Sequence, residues 1–404
     1  MTPPSRLPQS LRLMVAGLLI VLTGFCDLHG ARAAAPRPGA EEPGLFEQLS
    51  AVRTRLADHG ITFGGFLQGD GSHVFSGGLP HALGFDAQSL IDLSLTIDTG
   101  KLLGWKGGTL FLDAQSHSGP SVVPNQVPAL ADPDNMDAGP TTSLDRVWFE
   151  QALFAHTLKL RLGLMYVDDQ FYTVPFGENF VSLDFSSDAS ISTFVLPTYP
   201  KGAWGGDVFY APDHTLSFSL GIFHDRETEL PYNPGGALIV SEEAVRGHWH
   251  GLPLKLQLGA WVDTGRFRRF VGVIVHHAAG AYLVASSKLW TPHPRSARGI
   301  GVFLQYGAAP PSVAAVQTHF GVGLVWTGPA AARPHDEFGM AFSDSLLSPQ
   351  ARFDHSFESE IETYYQFDAS HGLTIQPDLE YWQHPGGGST PPTLLGLIRV
   401  MLNF

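Results

Sequence analysis

The 404-residue chain has few cysteines, few charges and few long apolar runs. Cys26 is its only cysteine, 15% of its residues are charged, and 24 Lys and Arg stand against 38 Asp and Glu, for a net charge of −14. One cysteine excludes a disulfide framework. This excess of acidic residues argues against a nucleic-acid-binding protein. Beyond the N-terminal stretch, no run reaches the ~20 apolar residues of a membrane-spanning helix.

The first 35 residues are predicted to be an export signal. Arg6 and Arg12 precede the apolar run "LMVAGLLIVLTGF", and "HGARAAAP" follows with the small-residue spacing of a signal-peptidase site. The alternative, an uncleaved membrane helix, would need a longer run to span ~30 Å of hydrocarbon. Because Phe25 rather than a small residue precedes Cys26, no lipid anchor is predicted, and the mature chain should lack cysteine.

Residues 36–60 are predicted to form a flexible leader and one short helix. The leader is rich in Pro, Gly, Ala and Glu. The segment "GLFEQLSAVRTRLADHG" then places apolar residues at helical spacing and ends on Gly60, a good helix stop.

Sixteen amphipathic strand-like runs follow, and they predict a transmembrane domain over residues 61–404. Their connectors alternate between tight ones, such as "FAHT", "PDH", "LP" and "ASHG", and long ones, as expected of strands that cross a bilayer up and down. We therefore predict an all-β fold: an up-and-down antiparallel β-barrel with a short N-terminal periplasmic helix. The run "VGVIVHHAAG" is assigned to an outer loop, because a seventeenth strand would put the two chain ends on opposite sides of the membrane. The strands are predicted near 61–74, 89–98, 107–118, 143–153, 158–169, 205–212, 215–225, 244–252, 254–265, 280–290, 299–308, 318–328, 336–347, 357–368, 373–385 and 394–404.

Each run has one apolar and one polar face, as "LKLRLGLMY", "LKLQLGAWVD" and "FESEIETYYQF" illustrate. A secreted soluble β-sandwich also alternates in this way, but it covers its apolar face with a second sheet, whereas a barrel uses lipid. Composition alone leaves both possible, and the alternation of the connectors favours the barrel.

With the apolar faces outward, the polar faces predict the lining of an aqueous lumen. Opposed Arg and carboxylate groups suit a neutral polyhydroxylated solute, since Arg donates to hydroxyl oxygens and carboxylates accept from hydroxyl groups. Inward indole rings can pack on the C–H side of a sugar ring. The alternative for any single residue is a charge ladder that ties the wall together. The predicted lining comprises Arg146, Trp148, Glu150, Lys159, Arg161, Arg246, Trp261, Glu358, Glu360, Glu362 and Arg399, joined by His248, His250, Asp378, Glu380 and Trp382.

The longest connector, from Gln170 to Trp204, has two possible roles. Loops of this length are usually functional or disordered. Folded into the barrel, the loop would narrow the lumen and bring Glu178 and Asp184 to the rim, where they could contact solute. Otherwise it is an exposed loop.

Enzymatic chemistry has little support in the motifs. His248 with His250, or His276 with His277, could pair on a metal, but no carboxylate or cysteine stands at ligand spacing, so no metal and no cofactor is predicted. No G-x-S-x-G motif occurs, and the glycines of "GGFLQGDG" lack the strand-to-helix context of a phosphate loop. No catalytic residue is assigned. The alternative is a barrel enzyme of the lipase or protease type with a site at the rim.

Several segments resemble the OprB-type carbohydrate-selective porins of Gram-negative outer membranes. They are "VRTRLADHGITF", "DTGKLLGWKGGTLFLDAQSHSG", "LKLRLGLMYVDDQF", "LPLKLQLGAWVDTGRF" and, most specifically, "LTIQPDLEYWQHPGG" followed by a terminal strand that ends in Phe. The resemblance implies a sixteen-stranded outer-membrane barrel that admits sugars and similar small polar solutes by facilitated diffusion, without energy input or cofactor. It transfers the class and not a set of binding residues, so a porin for other small polar solutes stays an alternative.

The last run, "TLLGLIRVMLNF", is predicted to pair with the first strand, because an open edge in lipid would leave backbone groups unpaired. Ile398, Val400 and Leu402 would then face outer-membrane lipid, with Phe404 at the aromatic girdle. By analogy with the family, a terminal Phe is also the tag read by the outer-membrane assembly machinery. The predicted partners are therefore sugars, lipid and that machinery, with no nucleic acid.

Overall fold

The computed structural model describes residues 45–82, 84–224, 236–249, 251–293, 296–370 and 372–404. The predicted export signal, the leader up to residue 44 and His250 lie outside these ranges. Within them, no helix combines the length and the apolar character needed to cross a membrane. One helix, α1, spans Leu45–Asp58. The chain continues through Gly60, whose φ of 87° is a left-handed conformation that glycine adopts at little cost.

Sixteen strands close into one antiparallel barrel, which confirms the predicted fold class. They follow one another around the barrel in chain order, except that β9 pairs with β12, because β10 and β11 form a separate two-stranded hairpin. The strands are β1 Ile61–Ser76, β2 Phe85–Asp98, β3 Gly108–Ser118, β4 Thr141–Leu153, β5 Leu158–Met165, β6 Ala203–Tyr210, β7 Leu216–His224, β8 Ala237–Trp249, β9 Leu252–Asp263, β10 Phe267–Arg268, β11 Ile274–Val275, β12 Ala278–Trp290, β13 Gly299–Ala308, β14 Val316–Thr327, β15 Glu337–Leu347, β16 Phe357–Ser370, β17 Leu373–Gln383 and β18 Thr393–Asn403.

The C-terminal strand closes the barrel, as its apolar alternation predicted. Strand β18 pairs with β1 in a ladder that includes Phe66 opposite Asn403 and Asp70 opposite Arg399. The Phe404 N–H donates to the Gly65 carbonyl at 3.1 Å. The backbone of both terminal strands is therefore paired, as a bilayer requires.

The outer face of the barrel is apolar. Leu162 is 70% exposed, Ile222 53% and Ile398 44%, although all three are large apolar side chains. Arg161 precedes Leu162 on β5 and Arg399 follows Ile398 on β18. Both arginines point inward and are buried. Exposed apolar surface costs about 25 cal/mol per Å² in water. In transmembrane barrels this band lies against hydrocarbon.

The largest difference from the predicted strand bounds is at β8, and others occur at β2, which begins at Phe85 rather than near 89, and at β5, which ends at Met165 rather than near 169. Strand β8 begins at Ala237 rather than near 244, which brings Glu242 onto the inner wall. The Leu-Pro pair, predicted to form the turn after β8, instead begins β9 at Leu252. Pro253 instead lies near the start of β9, where the missing backbone N–H is tolerated. The run "VGVIVHHAAG" does not add a seventeenth strand to the barrel, as predicted, although Ile274–Val275 form β11 of the small hairpin and the last three residues of the run begin β12.

The connections differ between the two ends of the barrel, but less regularly than predicted. We call the end where β1 begins and β18 ends the terminal end, and the opposite one the loop end. Terminal-end connections are tight at 154–157, 211–215 and 250–251 and longer at 99–107, 291–298 and 328–336. In 99–107, Asp98 caps the helical turn α2, Thr99–Leu103, by accepting from Gly100 N–H at 2.8 Å and Lys101 N–H at 3.1 Å.

Two loop-end connections, 119–140 and 166–202, fold into the barrel. They contain the short helices α3 Val122–Asn125, α4 Leu183–Ser186 and α5 Ala189–Ser192. The two loops also bond to each other, since Leu183 N–H donates to the Asp132 carbonyl at 2.9 Å. The rings of Phe171, Phe180 and Phe185 are fully buried against the inner wall. The longest connector therefore folds into the barrel and narrows the lumen, which was the first of its two predicted roles.

Candidate functional site

The inner wall formed by β3, β4 and β5 carries an aromatic and cationic surface. The rings of Phe111 and Trp148 stack with centroids 4.9 Å apart and planes inclined by 21°. The guanidinium carbon of Arg146 lies 5.3 Å from the Phe111 ring centre, and that of Arg161 lies 5.3 Å from the Trp148 ring centre. Gly163 stands opposite Trp148, and a Cβ there would come within 2.8 Å of the Trp148 Cβ. Glycine at this position therefore leaves room for the backbone of β4 and the Cβ of Trp148. The two rings and the two guanidinium groups together form an aromatic and cationic cluster.

A β-bulge aims Arg146 into the lumen. The β3–β4 register shifts between Asp113 and Ala114, so Asp145 is an extra residue beside Arg146. Arg146 Nε donates to Asp113 Oδ2 at 2.6 Å, and Arg146 Nη1 donates to Asp169 Oδ1 at 3.1 Å. The Arg146 side chain nevertheless keeps 20% of its surface exposed. It is thus oriented by two carboxylates and still reaches the lumen.

The two cations of β5 have different surroundings. Arg161 donates from Nε and Nη2 to Asp207 Oδ2 at 3.0 and 2.8 Å, and its side chain is 8% exposed. Lys159 Nζ lies 3.3 Å from Glu150 Oε1, and these side chains are 37% and 22% exposed. Exposed ion pairs contribute only about 0–1 kcal/mol. Lys159 and Glu150 can therefore give up their mutual contact to bind a solute, whereas Arg161 stays bound to Asp207.

The glutamates predicted on the far wall are covered by the longest inner loop. Glu360 is 1% exposed and Glu362 is fully buried. Glu362 accepts from Val181 N–H at 2.7 Å and from Ser182 N–H at 3.1 Å. The Ser182 hydroxyl donates to Glu360 at 2.7 Å. These carboxylates bind the loop and do not face the open lumen.

Glu358 and Arg399 bind the shorter inner loop in the same way. Leu130 N–H donates to both oxygens of Glu358 at 3.1 Å. Arg399 Nη2 lies 2.7 Å from Asp70 Oδ2 and 3.0 Å from Asp134 Oδ1. Arg399 therefore joins the first strand, the last strand and loop 119–140.

The other predicted lining residues lie apart from this wall. Trp261 is 3% exposed and its ring meets that of Phe194 in the longest loop, with centroids 6.2 Å apart. Glu178 is exposed on the same loop. Arg246 is exposed near the terminal end of β8, and its Nη1 donates to Ser217 Oγ at 3.1 Å.

Asp184 is buried and does not form part of an exposed rim, the role considered for it in the sequence. Its side chain is 1% exposed and accepts from the Ser343 hydroxyl at 2.6 Å. Asp184 therefore docks the loop on β15. His248 lies near the terminal end, and His276 and His277 precede β12 at the loop end, so these histidines cannot share one metal ion.

Several carboxylates that organise the open wall were not predicted. Asp113 and Asp207 take inward positions in "TLFLDAQSHS" and "AWGGDVFY", where strand alternation could have revealed them. Asp169 lies in loop 166–202, because β5 ends at Met165 and not near 169 as predicted. In the same loop, burial raises the pKa of Asp168 to about 6, opposed by a hydrogen bond from the Thr198 hydroxyl at 2.5 Å.

Glu242 was also missed, because the predicted strand began after it. It accepts from Tyr172 N–H at 2.9 Å and from the Tyr282 hydroxyl at 2.9 Å. Gln257 Nε2 donates to its other oxygen at 3.2 Å. Glu242 thus holds the start of the longest inner loop on β8.

Known proteins share this architecture over most of the chain. The family described as "Carbohydrate-selective porin, OprB family" matches residues 87–404. The chain belongs to this OprB family. Porin B of Pseudomonas aeruginosa is 20% identical to it over 430 residues, with 92% of this chain and 93% of the relative covered. The high-pH structure of Pseudomonas putida OprB matches with a TM-score of 0.80 and 20% identity, over 88% of this chain and 97% of that one. DcaP, an outer membrane channel of Acinetobacter baumannii, matches with a TM-score of 0.55 and 8% identity, over 85% and 97%.

In this OprB-family barrel most of the predicted lining residues fall into two groups, and the exposed Glu178 and Arg246 belong to neither. Arg146, Trp148, Glu150 and Lys159 form one partly exposed surface on β4 and β5. A second group is buried in contacts with the inner loops or with neighbouring strands. That buried group comprises Arg161, Trp261, Glu358, Glu360, Glu362 and Arg399.

Proposed function

We propose that this protein is an outer-membrane channel for the facilitated diffusion of sugars and similar small polar solutes along the wall of Arg146, Trp148, Glu150 and Lys159. The observation that carries the proposal is the Phe111–Trp148 stack with a partly exposed Arg146 beside it. A ring face of this kind packs on the C–H side of a sugar. Arg146 and Lys159 can donate to hydroxyl oxygens, and Glu150 can accept from hydroxyl groups.

The same surface suits passage better than tight binding. The charged groups of Arg146, Lys159 and Glu150 already have partners, so a solute hydroxyl that meets them exchanges one hydrogen bond for another with a net gain of only about 0.5–1.5 kcal/mol. Lys159 and Glu150 are partly exposed and only weakly paired. A channel site must be weak enough for the solute to leave.

We assign the buried lining residues to the support of this pathway. Glu358, Glu360, Glu362 and Arg399 anchor the two inner loops and so set the width of the lumen. Arg161, whose guanidinium lies over the Trp148 ring, helps to hold that ring in place. Glu178 and Arg246 are exposed outside the aromatic wall and are proposed as entry and exit contacts.

The orientation of the chain in the membrane follows from the same proposal. Residues 1–35 would be removed on export, residues 36–60 would form the leader and helix, and residues 61–404 the barrel. The terminal end would face the periplasm, and the apolar outer face would contact lipid. Phe404 is 46% exposed at the terminal end, where the assembly machinery could read it.

A liposome-swelling series tests the function. Sugars should enter liposomes that contain the protein faster than neutral non-sugar solutes of equal size, and they should reduce its ion conductance in planar bilayers. Trp148→Ala should lower this sugar preference at unchanged insertion. Trp326→Ala is the matched control, because that indole lies on the outer face at 37% exposure.

Three results would count against the proposal. Absence of conductance would exclude a channel. Conductance without sugar preference would favour a porin for other small polar solutes. Hydrolysis of a lipid or peptide substrate that one Ser or His substitution abolishes would favour a barrel enzyme, although the homologues are porins.

A further inference from the structure

Four carboxylates lie together on the inner wall formed by β16 and β17. Glu362 and Glu380 are opposite each other in the β16–β17 ladder, with Glu360 and Asp378 at adjacent inward positions. Glu360, Glu362 and Glu380 are at most 1% exposed and Asp378 is 6% exposed. One oxygen from each of the three glutamates lies within 4.8 Å of the others.

Several oxygens of this group meet no hydrogen-bond donor. Ser182 donates to Glu360 Oε2 at 2.7 Å and Trp382 Nε1 donates to Glu380 Oε2 at 2.7 Å. The second oxygens, Glu360 Oε1 and Glu380 Oε1, are buried without a partner. Both oxygens of Asp378 are also buried and without a partner, although this residue is outside the glutamate triad. Buried polar atoms normally have a partner, so this site lacks a cationic or donor group.

No protein cation supplies that partner. Arg399 is already bound to Asp70 and Asp134. Among the residues that the structure describes, no Lys or Arg nitrogen lies within 4.0 Å of an oxygen of the four carboxylates. Buried carboxylates without a counter-charge are strongly unfavourable unless they bind a metal or a proton.

We propose that Glu360, Glu362 and Glu380 bind a hard divalent cation, best matched by Ca²⁺, which fastens the longest inner loop to the barrel wall, and that the neighbouring Asp378 adds negative charge to the site. Ca²⁺ takes oxygen ligands at 2.3–2.6 Å, so ligand atoms on opposite sides of the ion are about 4.8 Å apart. The set of carboxylates without His or Cys disfavours Zn²⁺, which binds most often to nitrogen and sulfur ligands. Mg²⁺ demands a tighter octahedron.

The loop is coupled to this site through two of its ligands. Glu362 accepts from the backbone N–H groups of Val181 and Ser182, and Glu360 accepts from the Ser182 hydroxyl. An ion that fixes both carboxylates therefore also fixes these loop contacts. The inference does not depend on which solute passes through the channel.

Terbium luminescence gives a direct test on the intact protein in detergent. Tb³⁺ replaces Ca²⁺ in oxygen sites, and the Trp382 indole is hydrogen-bonded to Glu380, close enough to sensitise a bound ion. After treatment with EDTA and its removal, titration with Tb³⁺ should give saturable emission on indole excitation, and excess Ca²⁺ should displace it. Ca²⁺ should also raise the thermal unfolding midpoint of the EDTA-treated protein.

The double variant Glu360→Gln with Glu380→Gln should weaken Tb³⁺ binding at least about tenfold and abolish the Ca²⁺ shift. Glu358→Gln is the matched control. Glu358 lies on the same face of β16 and is 1% exposed, but backbone N–H groups of Leu130 and Gly386 already bind it. This control should keep the Ca²⁺ response even if its unfolding midpoint falls.

Two results would overturn the inference. In the first, the wild-type protein shows neither Tb³⁺ emission nor a Ca²⁺-dependent change of its unfolding midpoint, and the midpoint rises on acidification. The carboxylates would then share protons instead of binding an ion. The second is a Ca²⁺ response that survives the double variant. Should the double variant not fold, Trp382→Phe decides, since it should lose Tb³⁺ emission and keep the Ca²⁺ shift.

Discussion

The docking of the longest inner loop can be tested by adding one carbon atom at Gly307. A Cβ at this inward position of β13 would lie 1.4 Å from Asp188 Oδ2, where contacts under 3.0 Å do not occur. The Asp188 carboxylate must therefore move by at least the difference, 1.6 Å. Asp188 is fully buried, and its Oδ1 caps α5 by accepting from Ser190 N–H at 2.7 Å.

Gly307→Ala should weaken loop docking whichever way the structure adapts. If the carboxylate rotates, the cap is lost, at about 0.5–2 kcal/mol. If the loop shifts instead, overpacking costs about 1–3 kcal/mol. A change of about 1–3 kcal/mol alters the ratio of docked to undocked loop by about 5- to 150-fold.

Single-channel recording in planar bilayers is the appropriate assay. Gly307→Ala should show more frequent or longer openings to a conductance above the wild-type level and should admit larger sugars in liposome swelling. Gly247→Ala is the control, because a Cβ at that position of β8 meets nothing within 4 Å. If Gly307→Ala inserts normally and keeps the wild-type conductance and the wild-type size limit for sugars, then the contact between Gly307 and Asp188 does not hold the loop in the barrel.

Three further changes test the seam, one terminal-end turn and the C-terminus. Arg399→Leu leaves Asp70 buried without its cation, so urea unfolding of the purified barrel should show a loss of about 3–5 kcal/mol; an unchanged midpoint would contradict the seam contact. The Arg333 side chain, by hydrogen bonding, holds the pKa of Asp336 below its ordinary value. This stabilisation is present above about pH 4 and lost as the pH falls through the lowered pKa, so the difference in midpoint between wild type and Asp336→Asn should shrink between pH 7 and pH 3. Deletion of Phe404 should reduce the fraction of protein in the outer membrane more than total expression, and normal assembly would refute its role as a tag.

The inward or outward direction of residues was predictable, because a strand turns alternate side chains to opposite faces. Arg146, Trp148 and Arg399 were all placed on the inner face from alternation alone. Errors arose where this period is interrupted. The bulge at Asp145 and the early start of β8, which carries Glu242, have no signature in a simple alternating pattern.

Exposure of the inward residues was not predictable. Glu362 and Glu150 occupy equivalent inward positions in the sequence pattern. Val181 and Ser182, 181 and 180 residues earlier in the chain, cover Glu362, whereas Glu150 remains partly exposed. Such contacts depend on how an aperiodic loop fills the barrel, which no local pattern encodes.

The sequence by itself determined the barrel, its strand number, its lipid-facing side and its closing seam. The physical reason is that lipid forces every backbone group into a closed ladder and forces a strict alternation of side chains. Only the tertiary structure decided which part of the inner wall stays exposed. Two loops enter the barrel there, and their packing turns one set of inward charges into loop anchors and leaves the aromatic wall on β4 and β5 facing the lumen.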